Sequence, residues 1–286
     1  MNILVTGGSG FIGSHIVDRL IKVGHRVRIL DLKKPHRGDI EFSRGDITSR
    51  EDVKKSLRDI EVVYHIAGFS NIDLVKDRPL TTIEQNILGT AHLLDGCRRQ
   101  GVKRFIFASS VYVYSQRGHL YTTSKLASEM ICKDYNVLYR LPYTILRYGT
   151  AYGPRARDAT VIAIFVRKAL NGEAITIMGD GSQYRNFIYI EDLAIGNVAA
   201  LEDIAKNQTY NLEGIRPVTI RKVAETVKKL VGNVSIEYKE ARAGDYAGKI
   251  VSTKKASKEL NWQPKVDLEE GVTRYIQWYK DSKLRS

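Results

Sequence analysis

Apolar and polar positions follow two alternating patterns along the first half of the chain. Short runs rich in β-branched and apolar residues predict strands at 2–6, 26–32, 41–44, 62–66, 104–108 and 143–147. Between them, apolar residues recur at helical spacing, as at Ile12, Ile16 and Leu20, and predict helices at 11–23, 49–58, 79–100 and 121–139. Strands that alternate with helices of this length favour right-handed crossovers, so the pattern predicts an α/β fold with a doubly wound parallel sheet.

The alternation becomes less regular after Pro154. Helices are predicted there at 160–171, 191–201, 219–231 and 268–280, and short strands at 175–177, 209–212 and 234–238. We therefore predict two domains, a parallel-sheet domain over residues 1–151 and a smaller mixed α/β domain over 152–286 that binds substrate. Some segments around 187–212 are expected to return to the first domain.

A glycine-rich turn directly follows the first predicted strand and opens the first predicted helix. Its spacing permits a tight turn at Gly7, close approach of a pyrophosphate to Gly10, and close packing of helix on strand at Gly13. The helix N-terminus would then offer free N–H groups to the phosphates. These features predict a Rossmann domain that binds a dinucleotide.

An acidic residue, Asp31, closes the second predicted strand. A carboxylate at that place binds the adenosine ribose hydroxyls and disfavours a 2′-phosphate, so NAD is predicted rather than NADP. Three cationic residues, Lys33, Lys34 and Arg37, follow closely and keep the NADP alternative open at this stage.

A phenol and an ammonium share one face of the predicted helix 121–139, because Tyr121 and Lys125 are four positions apart. Ser110 lies at the end of the preceding strand, and the carboxyl ends of strands are where open α/β sheets bind ligands. A free phenol has a pKa of about 10, and a nearby cation lowers a phenol's pKa by about 1 to 3 units. The set therefore suits Tyr121 as a base towards a sugar hydroxyl, with Lys125 and the positive nicotinamide ring favouring the phenolate and Ser110 bonding the same oxygen. Tyr279 and Lys283 repeat the spacing near the C-terminus, where we interpret them as surface residues.

The order of short motifs along nearly the whole chain resembles the extended short-chain dehydrogenase/reductases, and within them the NAD-dependent epimerase/dehydratase group typified by UDP-glucose 4-epimerase. The motifs that carry the resemblance are TGGSGFIG at 6–13, Asp46-Ile47, HIAG at 65–68, NILGT at 86–90, SSVYVY at 109–114, LRYGTAYGPR at 146–155, GDGSQYRNF at 179–187, RAGD at 242–245 and LNWQP at 260–264.

The resemblance implies three groups of site residues. The catalytic group is Ser110, Tyr121 and Lys125. The cofactor group is Gly7, Gly10, Phe11, Ile12, Gly13, Asp31, Leu32, Lys33, Asp46, Ile47, Ile66, Ala67, Gly68, Asn86, Ser109, Tyr121, Lys125 and Tyr148. The substrate group is Ser110, Thr150, Arg185 and Arg242, the two arginines gripping a nucleotide-sugar diphosphate bidentately.

The chain departs from the family pattern at three places. Only ten residues separate Ser110 from Tyr121, fewer than is usual, which removes a segment expected to contact substrate. Thr150 stands where the family usually has an asparagine near the substrate phosphates, so one donor replaces two. Val111 and Tyr112 stand where sugar 4,6-dehydratases carry an acid pair, which leaves no evident group for β-elimination.

The net charge of the chain bears on which class of partner it binds. Lys and Arg number 45 and Asp and Glu 32, a formal net charge of +13 spread along the chain. Without a basic tail, zinc spacing or RNA-recognition motif, this surplus favours a small anionic ligand such as a nucleotide-diphosphate sugar over nucleic acid. No apolar run reaches the roughly 20 residues of a membrane span, and the N-terminus does not resemble a secretory signal. Two cysteines and six histidines without ligand spacing predict no metal site and a cytoplasmic location.

Three functions from two classes are consistent with these features. The favoured one is a nucleotide-sugar 4-epimerase of the UDP-glucose/UDP-galactose type, which oxidises C4, lets the 4-keto sugar rotate and returns the hydride. The second keeps the fold but has a decarboxylase, reductase or dehydrogenase outcome. The third is a non-catalytic NAD-sensing protein, which the Ser110, Tyr121 and Lys125 set disfavours. The resemblance also implies a homodimer through the helices near 79–100 and 121–139.

Overall fold

The computed structural model describes residues 1–115, 120–240 and 249–284, apart from the side chains of residues 72 and 73. These residues group into two compact units. The first comprises Met1–Tyr148, Ala194–Asn211 and Lys254–Trp262, and the second comprises Gly149–Leu193, Leu212–Thr253 and Gln263–Ser286.

The first unit is built around a seven-stranded sheet in the order β11-β6-β5-β4-β1-β2-β3. Its strands are β1 (Asn2–Thr6), β2 (Arg26–Asp31), β3 (Glu41–Arg44), β4 (Val62–His65), β5 (Arg104–Ser110), β6 (Tyr143–Tyr148) and β11 (Gln208–Leu212). All pairings among β1 to β6 are parallel. The predicted doubly wound α/β fold is therefore confirmed.

Helices connect these strands. They are α1 (Phe11–Lys22), α2 (Arg50–Ser56), α3 (Ile72–Val75), α4 (Pro79–Ile83), a π-helical turn (Glu84–Leu88), α5 (Gly89–Gln100), a 3-10 turn (Val111–Tyr114), α6 (Leu120–Tyr139), a second 3-10 turn (Asp203–Ala205) and α10 (Lys254–Leu260). Helix α8 (Ile190–Ala199) crosses the division between the units.

The strands of the central sheet are buried because both of its faces are covered. Every residue of β4 and of β5 is buried. One core cluster packs Leu4, Val63 and Phe105 of the sheet against Val53 of α2 and Leu93 of α5. Parallel strands covered on both faces have continuous apolar runs, which is why the sequence predicted them with bounds close to those observed.

The predicted helix at 79–100 is confirmed, since every residue from Pro79 to Gln100 is helical. It consists of α4, the π-helical turn and α5, with Asn86 in the middle of the π-turn and Gly89 directly after it. The carbonyl of Asn86 accepts hydrogen bonds from Thr90 Oγ1 at 2.5 Å and Ser128 Oγ at 2.8 Å. Periodicity alone does not reveal the π-turn.

The second unit is smaller and has three two-stranded pairings. Its elements are β7 (Thr150–Tyr152), α7 (Val161–Leu170), β8 (Ile175–Met178), β9 (Tyr184–Arg185), β10 (Phe187–Tyr189), β12 (Val218–Thr219), α9 (Ile220–Val231), β13 (Ile236–Lys239) and α11 (Leu268–Leu284). Strands β7, β9, β10 and β12 are short and were not predicted, and β9 lies within the GDGSQYRNF motif at 179–187.

The core of the second unit packs α7, α9 and α11 together. Its buried members include Phe165, Val223, Val227 and Tyr275. Asp192 is 3% exposed and accepts hydrogen bonds from the backbone N–H groups of Lys265 and Val266 at 2.9 and 2.8 Å. This carboxylate fixes the chain that leads into α11.

A second buried acid in this unit is Glu213, which is 1% exposed and accepts a hydrogen bond from the side-chain amide of Asn186. Burial raises the pKa of Glu213 from an ordinary 4.5 to about 7, against the opposing effect of the Asn186 amide. Between those pH values the folded chain binds more protons than the unfolded chain, so ionisation of Glu213 lowers stability as pH rises.

Glu213→Gln is therefore expected to change how stability depends on pH. The contribution of Glu213 to the free energy of unfolding is fully present below pH 4.5 and is lost as pH rises through about 7. We expect the wild type to lose about 1 to 3 kcal/mol relative to Glu213→Gln across that window, measured by calorimetric unfolding. Glu237→Gln, at an exposed position, is the matched control. A wild-type minus Glu213→Gln difference that does not vary with pH would contradict the interpretation.

Candidate active site

The order of strands in the sheet reverses between β1 and β4. At such a switch point the loops after adjacent strands diverge to opposite faces and leave a crevice at the carboxyl ends of the strands. The segments that follow β1, β2, β4, β5 and β6 begin at Gly7, Leu32, Ile66, Val111 and Gly149. The predicted cofactor and catalytic residues of the first unit lie largely at this edge.

The glycine turn has the geometry that a dinucleotide pyrophosphate requires. Gly7 has φ of +70°, and a Cβ there would lie 2.7 Å from the backbone nitrogen of Ala67. A Cβ on Gly13 would lie 2.1 Å from the Gly7 carbonyl oxygen, so α1 can approach β1 closely only with glycine at both positions. At Gly10, the Gly7 carbonyl oxygen, at 3.3 Å, is the atom of the described residues found within 4 Å of such a Cβ, chain neighbours and the helix's own backbone aside.

The start of α1 is also suited to an anion. Gly10 caps the helix without a side-chain hydrogen bond, and the first turn, at Phe11 and Ile12, carries no acidic residue. The first N–H groups of an α-helix have no partner within the helix. Ser9 Oγ is buried without a hydrogen-bond partner. These donors fit a pyrophosphate, so the residues present fit NAD.

Asp31, at the end of β2, is held in place by the backbone. Its Oδ2 accepts from Ser9 N and its Oδ1 from Lys33 N, both at 3.0 Å. Leu32 and Lys33 are exposed. A fixed carboxylate beside the glycine turn suits ribose hydroxyls and repels a 2′-phosphate.

Arg37, which had kept NADP open, is bonded elsewhere. Its guanidinium donates to Asp18 Oδ1 at 2.9 Å and to both carboxylate oxygens of Asp39 at 2.6 Å. Hydrogen bonding to Asp39 raises the pKa of Arg37. The structure thus strengthens the sequence-based preference for NAD.

The remaining predicted cofactor residues line the same edge. Ile66 and Ala67 donate their backbone N–H groups to Thr6 O at 3.2 and 3.0 Å, which joins the ends of β4 and β1. Gly68, with φ of +155°, is so close to Asn86 that a Cβ would lie 2.7 Å from its Oδ1. Asp46 Oδ1 accepts from Thr48 N at 2.9 Å, and Ile47 is buried.

The three predicted catalytic residues are all buried in the first unit. Ser110 is 7% exposed at the end of β5, and Tyr121 and Lys125 are 8% and 6% exposed in the first turns of α6. The Tyr121 ring packs edge-on against Tyr112, with centroids 6.2 Å apart. Lys125 Nζ lies 6.0 Å from the Tyr121 ring centroid, so the ammonium and the phenol share one face of the helix.

The Lys125 ammonium is bound to the sheet. It donates to Ala108 O at 2.8 Å and lies 4.8 Å from the Phe107 ring centroid. Burial lowers the pKa of Lys125 from 10.5 to about 8, while Cys132 and Glu129 act in the opposite direction. An ammonium with that pKa is mostly charged at neutral pH and can stabilise a neighbouring phenolate.

Two predicted cofactor residues have their hydroxyls committed to the protein. Ser109 Oγ donates to Glu129 Oε1 at 2.5 Å, and Tyr148 OH donates to Asn197 Oδ1 at 2.5 Å. Burial raises the pKa of Tyr148, so the hydroxyl stays protonated. Towards the cofactor these two hydroxyl oxygens can therefore act only as hydrogen-bond acceptors.

The predicted substrate residues Thr150 and Arg185 lie in the second unit, where the structure brings their backbones together. Thr150 N donates to Asn186 O at 3.0 Å, and β7 pairs with β10 so that Thr150 faces Phe187. Arg185 is half-buried in β9, which pairs with β12. Arg242, the other predicted phosphate contact, lies outside the described residues.

His65, which the sequence indicates only as the first residue of the HIAG motif, lies in a buried chain of hydrogen bonds. Thr90 Oγ1 donates to the Asn86 carbonyl, so it accepts from His65 Nε2 at 3.0 Å, and His65 Nδ1 then accepts from Thr6 Oγ1 at 2.8 Å. Burial and Lys125 lower the pKa of His65 to about 3, so this side chain is neutral and links β1, β4 and α5.

Glu129 and Arg147 also went unnoticed in the sequence. Arg147 and Glu129 form an ion pair in which Arg147 Nη2 lies 2.5 Å from Glu129 Oε2. The Glu129 carboxylate also accepts a hydrogen bond from Ser109 Oγ. The available signal was the four-residue spacing of Tyr121, Lys125 and Glu129, which places all three on one helix face.

Metal-binding clusters and membrane-spanning helices are both absent from the described part of the chain, residues 1–115, 120–240 and 249–284. Within it, no cluster of three or more His, Cys, Asp or Glu side chains is arranged to bind a metal ion. Within the same ranges, each helix is too short or too polar to span a membrane.

Comparisons with known proteins agree with this geometry. "Putative UDP-glucose 4-epimerase" of Methanocaldococcus jannaschii is 36% identical over 304 residues, covering 98% of this chain and 99% of that protein. UDP-glucuronic acid decarboxylase 1 of Arabidopsis thaliana is 30% identical over 98% of this chain and 70% of that protein. The crystal structure of a Thermotoga maritima UDP-glucose 4-epimerase with UDP-glucose superposes with a TM-score of 0.94 at 32% identity, covering 99% of this chain and all of that one.

The profile of one family covers most of the chain, residues 3–212, and its range includes the glycine turn, Ser110, Tyr121 and Lys125. It confirms NAD as the cofactor and the resemblance drawn from the motifs. The chain belongs to the NAD-dependent epimerase/dehydratase family.

Proposed function

We propose that this chain is an NAD-dependent UDP-sugar 4-epimerase of the UDP-glucose/UDP-galactose type. The observation that carries the proposal is the buried Lys125 ammonium beside Tyr121, on a helix that follows Ser110 at the carboxyl end of β5. This set suits the removal of a proton from a sugar carbinol. The relatives named above support UDP as the nucleotide.

The proposed chemistry divides between Tyr121 and Ser110. The Tyr121 phenolate accepts the proton of the sugar O4 hydroxyl, and Ser110 Oγ hydrogen-bonds the same oxygen. When bound, NAD would accept the C4 hydride and return it to the opposite face. Tyr121 gives the proton back to O4 when the hydride returns. Lys125 remains an ammonium and favours the phenolate, which a neutral side chain there would not do.

Substrate anchoring falls to the second unit in this proposal. Thr150, Arg185 and Arg242 would bind the diphosphate, and guanidinium groups suit it because they bond two oxygens at once. Holding the nucleotide end while the 4-keto sugar rotates uses binding energy from a part of the substrate that does not react.

A decarboxylase is the second candidate, favoured by the relative from Arabidopsis thaliana. Such an enzyme would oxidise the same carbon of a UDP-uronic acid before the carboxylate is lost. A dehydratase is less well supported, because Val111 and Tyr112, directly after Ser110, carry no acid.

We also propose a cytoplasmic homodimer. Helix α6 exposes an apolar stripe of Leu126, Met130 and Val137, which are 38%, 63% and 68% exposed. Their spacing of four and seven residues places them on one face, and Leu88, before α5, is 48% exposed. These are the helices through which the family resemblance implies that two copies pair.

The products distinguish the two candidate functions. The purified chain, without added NAD, is incubated separately with UDP-glucose, UDP-galactose and UDP-glucuronate, and the products are resolved by chromatography and mass spectrometry. We expect interconversion at C4 with no change in mass. A product lighter by carbon dioxide from UDP-glucuronate would establish the decarboxylase, and no conversion across a broader nucleotide-sugar panel would refute the proposed function.

Tyr121→Phe is expected to lower kcat by about 10² to 10⁴-fold, the usual contribution of a general base, with little change in NAD affinity. Steady-state kinetics and a fluorescence titration with NAD measure the two quantities. Tyr279→Phe is the matched control, because Tyr279 precedes Lys283 by the same four positions in α11. Equal losses in the two variants would contradict the role of Tyr121.

Met130→Glu combined with Val137→Glu is expected to produce monomers, because four charges would face one another in a symmetric pairing of α6 helices. Light scattering coupled to size exclusion measures the mass. Ile204→Glu, at a residue 55% exposed in the second 3-10 turn, is the control. A wild type that is monomeric at all concentrations would overturn the dimer.

A further inference from the structure

Ser109, the residue before Ser110, belongs to a cluster of buried and half-buried polar side chains that the proposed chemistry does not use. We call it the Glu129 cluster, and it consists of Ser109, Tyr114, Glu129, Arg147 and Asn211. Glu129 is 2% exposed and Ser109 is 3% exposed. All five residues belong to the first unit.

Glu129 binds both neighbouring strands at once. Its Oε1 accepts from Ser109 Oγ of β5 at 2.5 Å and from Arg147 Nε of β6 at 2.9 Å, while its Oε2 accepts from Arg147 Nη2 at 2.5 Å. The carboxylate is thus held in a bidentate guanidinium fork, which fixes direction as well as distance.

The other side of Arg147 extends the cluster. Arg147 Nη1 donates to Tyr114 OH at 2.7 Å, its guanidinium lies 4.7 Å from the Tyr114 ring centroid, and Tyr114 OH donates to Asn211 Oδ1 at 3.0 Å. The cluster therefore ties α6 to β5, β6, β11 and the turn after Ser110. Hydrogen bonding to Glu129 raises the pKa of Arg147, so the guanidinium stays charged.

The position of Glu129 on α6 gives the cluster a link to the chemistry. Glu129 follows Lys125 by four residues and Tyr121 by eight, so the three share one face of the helix. The helix cannot slide along the sheet without breaking the Glu129 contacts. Lys125 Nζ and the Tyr121 hydroxyl are thereby fixed relative to Ser110.

Glu129 also acts on Lys125 by its charge. The other titratable groups that face this ammonium are Tyr121 and Cys132 on α6 and His65 on β4. Burial raises the pKa of the Cys132 thiol and lowers that of His65 to about 3, so both are neutral. Among these groups Glu129 supplies the negative charge that opposes the loss of the Lys125 proton.

We propose that Glu129 is a positioning residue for the proposed epimerisation, holding Lys125 and Tyr121 in register with Ser110 and keeping Lys125 an ammonium. The inference rests on the proposed function for its catalytic consequence. Its electrostatic part stands on the Lys125 environment alone. A purely structural role would be served as well by a well-packed apolar pair, which costs less to bury than two ions.

The test variant is Glu129→Gln, which removes the charge of the carboxylate and keeps the shape of the side chain. The readout is the midpoint pH of the near-ultraviolet phenolate absorbance that disappears when Tyr121→Phe is added to the same background. Loss of the Glu129 charge makes Lys125 give up its proton at lower pH, so we expect that midpoint to rise by about one pH unit. Where the enzyme turns over, the alkaline limb of kcat should move to lower pH and kcat should fall about 10- to 100-fold.

Asp192→Asn is the matched control. Asp192 is a carboxylate 3% exposed that binds two backbone N–H groups in the second unit. We expect it to lower the unfolding temperature without moving the phenolate midpoint. Glu129→Gln leaves Arg147 without its counter-ion and can impair folding, so Ser109→Ala, which removes one hydrogen bond to Glu129, provides a milder variant with a smaller shift in the same direction.

The outcomes separate this inference from the proposed function. If neither Glu129→Gln nor Ser109→Ala moves the phenolate midpoint while both fold, the inference is overturned, whatever the enzyme does. If the midpoint moves but no UDP-sugar is converted by the wild type, the electrostatic role of Glu129 stands and the proposed function fails. A shift of equal size in Asp192→Asn would also overturn the inference.

Discussion

The arrangement of the first unit depends on a buried cation. Lys125 is 6% exposed, and its ammonium has one carbonyl oxygen, Ala108 O, and one aromatic face, Phe107, as neighbours on β5. A charge removed from water in this way is costly unless it is bonded and balanced. The hydrogen bond to Ala108 and the charge of Glu129 provide that balance, and the cost that remains is the reason why the pKa of Lys125 falls to about 8.

The strand order explains how so many chemical groups meet around that cation. The sequential order of the strands reverses between β1 and β4, while the strands themselves run parallel. Gly7, Asp31, His65 and Ser110 all lie at or directly beyond the carboxyl ends of strands. No special packing is needed to bring them to one edge, because parallel pairing aligns the strand ends. The glycines then set the distance: a Cβ at Gly13 would overlap Gly7, and one at Gly68 would overlap Asn86. The strand order determines which edge of the sheet carries these groups, and the close contacts at Gly13 and Gly68 determine the shape of that edge.

Features carried by adjacent residues were predictable from the sequence. The glycine turn, the acid that closes β2 and the Tyr121–Lys125 spacing each lie within one turn or one helix, and the apolar runs of the buried strands are equally local. The π-turn inside the helix 79–100 was not predictable from the hydrophobic pattern, and one of the contacts at its Asn86 carbonyl comes from Ser128, 42 residues away. The short strands β7, β9, β10 and β12 were missed for a related reason. Two or three residues are too few to show a period of two, and their pairing partners lie far along the chain.

The same difference between local and long-range features separates the residues proposed to transfer the proton from those proposed to adjust their charge and position. The groups proposed to move the proton are recognisable because Ser110, Tyr121 and Lys125 occur in fixed local patterns. The groups proposed to position them are joined over longer intervals, as in the pair of Glu129 and Arg147, which are 18 residues apart. Without Arg147, the Glu129 carboxylate, which is 2% exposed, would lose its counter-ion, so a change of one member alone is costly.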